Sequence, residues 1–82
     1  MNQKQKYRHA KRILKKYLAW YIKKGLLNQH HIEAAALKCG GHTYKFISER
    51  LKLNYNVLRA TLGTVRMFLR SEARKELRKI TA

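Results

Sequence analysis

The chain contains no proline and no aspartate, a single cysteine, four glycines and only four acidic side chains. Without proline, helix breaks fall to glycine and to capping residues. The lone Cys39 cannot form an internal disulfide, so nothing points to an oxidising compartment. The acids Glu33, Glu49, Glu72 and Glu76 are scattered. Neither a paired-carboxylate site nor a carboxylate-held Mg²⁺ centre is evident, and no enzyme activity or cofactor is expected. Gly40-Gly41 is an isolated pair rather than a phosphate-cradling loop. The longest apolar run near the N-terminus, Leu18-Ala19-Trp20-Tyr21-Ile22, is short of the ~7 to 15 residues of a signal-peptide core and the ~20 of a membrane span. A cytoplasmic, nucleoid-associated location is therefore expected.

What is present is positive charge and enough apolar residues to fold. The 82 residues carry 20 Lys+Arg, for a formal charge of +16, and 45% are hydrophobic. One tryptophan, five tyrosines and two phenylalanines separate this composition from that of a disordered basic tail. A single domain is expected, with one modest core. So much like charge costs stability by self-repulsion, which a polyanionic partner rationalises: nucleic acid first, an anionic membrane second. Residues 1–25 hold nine of the basic side chains and no acid, the middle is nearly neutral, and residues 55–82 are basic again.

Periodicity predicts an all-α fold, a small four- to five-helix domain over 1–82. Tyr7, Ala10, Ile13, Leu14, Tyr17, Leu18, Tyr21 and Ile22 recur at helical spacing with basic residues between them, predicting a basic amphipathic helix over 7–24 that Gly25 ends. A second helix fits about 29–38, with Asn28 as N-cap, before Cys39-Gly40-Gly41 breaks it. Thr43 caps the next. Ile47 and Leu51 share one helix face, Leu53 falls in a break, Asn54 is an N-cap, and Leu58, Leu62, Val65 and Leu69 mark a longer helix. A short helix, a turn with one inward leucine and a longer helix form the arrangement of a helix-turn-helix, here spanning 43–69. Lys52 stands in its turn where glycine is common. A basic C-terminal helix over 70–82 is predicted, with Ala73, Leu77 and Ile80 on one side.

The stretch from Thr43 to Leu62 resembles the helix-turn-helix of sigma-factor region 4 and of LuxR-type response regulators, chiefly at Ile47, Glu49, Arg50, Leu51, Leu53, Leu58 and Leu62. A fainter similarity, to fimbrial-operon transcription regulators, rests on Gly40-Gly41-His42 and Thr61-Leu62-Gly63. These resemblances imply a transcriptional regulator that binds double-stranded DNA. With Leu58 pointing inward, Asn56, Ala60, Gly63 and Met67 lie opposite the core, flanked by Val57, Arg59 and Thr64. Base contacts are accordingly expected from Asn56, Val57, Arg59, Ala60 and Thr64: Asn pairs with adenine, Arg with guanine, and small apolar groups meet the thymine methyl. Phosphate contacts are expected from Lys11, Lys15, Lys16, Thr43, Lys45, Tyr55, Arg66 and Arg70. Paired half-sites would call for a homodimer, which would also cover Met67 and Phe68 if the N-terminal helix does not.

Three other chemistries share some of these residues. A solvated polar face explains the α-helical pattern without any partner. An RNA- or single-strand-binding protein would use the same charge, with Tyr55 or Trp20 stacking on unpaired bases. A membrane-surface protein would use the first helix as an interfacial one. Zinc binding by His30, His31, Cys39 and His42 is disfavoured, because the spacing is unusual and adjacent histidines on one helix diverge by about 100°.

Overall fold

The computed structural model describes residues 1–81 and shows five helices: α1 (Gln3–Lys23), α2 (Gln29–Cys39), α3 (Tyr44–Leu51), α4 (Tyr55–Phe68) and α5 (Ser71–Thr81). No strand occurs among the described residues. The expected Ala82 at the end of the last helix lies outside them.

Local chemistry sets the boundaries. Asn28, Thr43 and Asn54 each cap the helix they precede: Asn28 Oδ1 accepts from the backbone of His30 and His31, Thr43 Oγ1 from Phe46 and Asn54 Oδ1 from Val57. The first helix begins earlier than its apolar stripe. Asn2 and Gln5 form a capping box, with Gln5 N–H donating to Asn2 Oδ1 at 2.8 Å and Asn2 N–H to Gln5 Oε1 at 3.1 Å. The start expected at residue 7 is therefore corrected to Gln3. A stripe marks where a helix packs, and a cap marks where it starts. At the other end, Lys24 is the C-cap and Gly25 follows at φ +77°, the left-handed conformation that ends many helices. Ser71 opens a separate helix instead of continuing α4, since Leu69 is extended at φ −78°, ψ 122°.

α2 is the centre of the fold. Ile32, Ala34, Ala35, Ala36 and Leu37 are all buried, which requires cover on more than one side of the helix. α1 and α5 pack on one side of α2, and α3 and α4 on another. The alanines keep α2 thin, so α1 and α4 both approach it closely. The core accordingly falls into two clusters. Ala10, Leu14 and Leu18 of α1 meet Ile32, Val65, Leu77 and Ile80 in one. Ala34 and Leu37 meet Ile47 and Leu58 in the other. Leu14, Leu18, Ile32, Ile47 and Leu58 are fully buried, each contributing about 1.5–3 kcal/mol of transfer free energy. The expected stripe of α4 is present with graded depth: Leu58 and Val65 are buried, Leu62 and Leu69 half-buried, as is Leu53 in the turn. Phe68 is covered by α1, its ring 4.5 Å from that of Tyr21. The molecule is flat, with Cα extents of 33 × 29 × 16 Å.

Candidate nucleic-acid interface

The connection between α3 and α4 is three residues long and turns on Lys52, which is left-handed at φ 55°, ψ 42°. Leu53 N–H donates back to Ser48 O at 2.9 Å, and Asn54 then caps α4. The cap leaves the following residues facing outward. Asn56, Val57, Arg59 and Ala60 are all exposed, as the helical spacing from Leu58 predicts, and Thr64 is half-buried. Thr61 and Thr64 donate their hydroxyl protons to Val57 O and Ala60 O of their own helix at 2.8 and 2.9 Å. Thr64 therefore keeps only acceptor capacity toward a partner. Gly63 sits in this face with nothing within 4 Å of where a Cβ would be. No internal packing requires a glycine there.

Arg59 is held by a ladder that crosses three helices. Its guanidinium lies 5.8 Å from the centroid of Tyr55, whose ring meets Tyr44 edge-on at 5.5 Å, and Lys38 Nζ lies 4.7 Å from Tyr44. These contacts combine ring-edge and cation–ring attraction. Lys38 and Tyr44 were not expected at the site. Their residues belong to α2 and α3, so only the packing of those helices on α4 brings them beside Tyr55 and Arg59. Nearby, Phe46 stacks on His42 with centroids 4.3 Å apart.

The residues expected on phosphates divide into two regions. Thr43, Lys45, Tyr55 and Arg66 lie on α3, its cap and α4, and Lys45, Tyr55 and Arg66 are exposed. Thr43 Oγ1 accepts the Phe46 N–H, which leaves its own proton to donate. Lys15 and Lys16 are exposed on α1, on the other side of α2, and Arg70 is exposed at the α4–α5 break. Lys11 is placed differently. Its ammonium lies 3.0 Å from Glu33 Oε2 and donates to Tyr7 Oη at 3.1 Å, while Tyr7 donates to Glu33 Oε1 at 2.6 Å. Burial raises the Glu33 pKa, but the Tyr7 and Lys11 hydrogen bonds outweigh it and hold the carboxyl below its ordinary value. The hydrogen bond to Glu33 leads those that raise Lys11. Its charge is matched inside the molecule, at the α1–α2 contact.

A cleft of about 410 Å³ between α2, α4 and α5 contains Cys39, whose thiol pKa is pushed up by burial and which meets no paired base there. His31 belongs to the α2 cap, its Nδ1 accepting from Asn28 N–H at 3.1 Å. Among the described residues, no three His, Cys or acidic side chains gather as a metal site, and no helix is long and apolar enough to cross a membrane. No protein-family model, no curated protein and no solved structure matches the chain.

Proposed function

We propose that this protein is a sequence-specific double-stranded DNA-binding transcriptional regulator, with α3 and α4 acting as a helix-turn-helix. The observation that carries this reading is the solvent-facing N-terminal half of α4, where Asn56, Val57, Arg59 and Ala60 are exposed together on a chain of charge +16. In the major groove, Arg59 reads guanine and Asn56 adenine, while Val57 and Ala60 meet thymine methyl groups. The Tyr55 ring limits the rotamers of Arg59 before binding, so less ordering entropy is lost. Thr43, Lys45 and Arg66 contact the flanking phosphates, and Lys38 joins them through Tyr44. Lys15, Lys16 and Arg70 add sequence-independent attraction. A homodimer would place two such helices on half-sites about one DNA turn apart.

The test is competition among duplex DNA, single strands, RNA and anionic vesicles across a range of salt. Duplex binding that involves about six phosphates gives a log-log salt slope near −5. Arg59→Ala is expected to change sequence preference, whereas Arg66→Ala weakens all sequences alike. Equal losses on every sequence from both variants would remove the division between base and phosphate contacts. Light scattering that finds one chain per particle, with and without DNA, would remove the dimer.

A further inference from the structure

Away from α4's exposed face, a hollow of about 370 Å³ is lined by Tyr17, Trp20, Tyr21 and Arg70. Three of its four lining residues are aromatic, in a chain with 10% aromatic residues. The Tyr21 and Trp20 rings stand at right angles, 88° apart with centroids at 5.2 Å, and so make a corner. Tyr21 is fixed from behind by Phe68. Trp20 remains 58% exposed. Cations lie over two of the rings, Lys16 Nζ at 5.4 Å from the Tyr17 centroid and Lys24 Nζ at 5.7 Å from that of Trp20 on one of its faces, and Arg70 supplies the fourth wall. The acids near this hollow, Glu72 and Glu76, act on Tyr17.

We propose that this aromatic hollow binds an unpaired nucleobase, stacked on Trp20 against the edge of Tyr21, with Arg70 and Lys24 on the adjoining phosphates. A planar, uncharged ring joined to an anion matches both halves of the hollow: flat π faces and bordering cations. An interfacial membrane anchor needs protruding apolar groups, whereas these rings form a concavity with polar or charged tips. The site is separate from the exposed face of α4 and stands whether or not that face reads duplex DNA. It gives the protein a preference for nucleic acid with a frayed end, overhang or single-stranded segment.

Trp20 is the only tryptophan, so its fluorescence reports on this hollow directly. The probes are a blunt DNA duplex, the same duplex with a single unpaired adenine overhang in deoxy and in ribo form, and anionic phosphatidylserine vesicles. Either overhang is expected to quench Trp20 and to bind about 5- to 150-fold more tightly than the blunt duplex, as one stacked base implies. The two overhangs show whether the unpaired base belongs to DNA or RNA. In fluorescence-anisotropy titrations with labelled probes, Trp20→Leu should abolish the overhang advantage and leave blunt-duplex binding unchanged, while Trp20→Phe keeps part of it. The exposure of Trp20 makes both variants compatible with folding, which circular dichroism checks. Equal binding of blunt and overhang probes overturns the proposal. So does a blue shift of Trp20 on vesicles without quenching by any oligonucleotide, or a Trp20→Leu variant whose only change is a smaller particle in sedimentation. Loss of blunt-duplex binding in Arg59→Ala with the overhang advantage retained separates this site from the one on α4.

Discussion

Single residues here carry costs that folding alone does not explain. Lys52 is a non-glycine residue at φ 55°, a conformation that costs roughly 1–2 kcal/mol for most side chains. Lys52→Gly is expected to stabilise the protein by about 0.5–1 kcal/mol, after the greater flexibility of glycine in the unfolded chain is subtracted. A rise in the urea midpoint checks this, and an unchanged midpoint would show that the lysine side chain offsets its own backbone strain. Gly63 presents the opposite case, a poor helix former with open space around it. Gly63→Ala should gain about 1 kcal/mol of stability. If α4 lies close against a groove floor, the same methyl group should weaken duplex binding, so a higher melting temperature with lower affinity supports the interface and a higher temperature with unchanged affinity counts against it. Glu33 ties stability to pH. Its folded pKa is depressed, so its contribution is present above the unfolded value of about 4.3 and is lost as pH falls through the lower folded value. The partly exposed Lys11–Glu33 pair keeps that contribution below about 1 kcal/mol. Glu33→Gln should flatten the acid limb of the stability profile, measured by urea unfolding between about pH 2 and 7, which spans the loss on both sides.

At the scale of elements, the determinants are caps and close approaches, and they differ in how far a sequence exposes them. Asn28, Thr43 and Asn54 were legible because a capping side chain sits directly before an apolar period. Asn2 was not, because two glutamines and two lysines separate it from Tyr7. The buried stripes of α4 and α5 follow the helical period, and so does the outward direction of Asn56 and Arg59. The Lys38–Tyr44–Tyr55–Arg59 ladder does not, since it depends on how α2, α3 and α4 meet, and periodicity within one helix carries no information about that. Lys11 also differs from its expectation for a long-range reason: its partner Glu33 is on another helix. Gly40 shows the same limit. Its φ of −72° suits any residue, yet a Cβ there would lie 3.3 Å from Gln3 O and 3.3 Å from Tyr7 Cβ. The demand is for space where the start of α1 crosses the end of α2. Gly40→Val is expected to cost about 1–3 kcal/mol by forcing those helices apart. Urea unfolding measures it, and a cost within error of zero would mean that the N-terminal turn of α1 moves away freely.

Across the whole molecule, charge acts against the fold, and under the proposed function it favours an anionic partner. Among the described residues one ion pair, Lys11–Glu33, sets an acid directly against a base, while the formal charge is +16. The radius of gyration is 11.8 Å. At 0.01 M salt the Debye length of about 30 Å exceeds that radius, so every cation repels nearly every other. At 0.1 M it is about 10 Å, and at 1 M about 3 Å, so the repulsion shrinks to near neighbours. The folded state, which concentrates the charge, gains more from screening than the expanded unfolded chain does. Raising NaCl from about 0.01 to 0.5 M should therefore raise the melting temperature in the absence of nucleic acid. The same change should weaken binding to a polyanion, because the counterions that binding releases gain less entropy in a saltier solution. These opposite signs follow from one charge distribution. A melting temperature that falls with salt would mean that attractive pairs outweigh the repulsion, and the excess of lysine and arginine would then no longer point to an anionic partner. Addition of duplex DNA at low salt should recover the stability that added salt provides, because the phosphates neutralise the same side chains. Calorimetric scans of the free and DNA-bound protein at both salt concentrations measure the two effects on one scale.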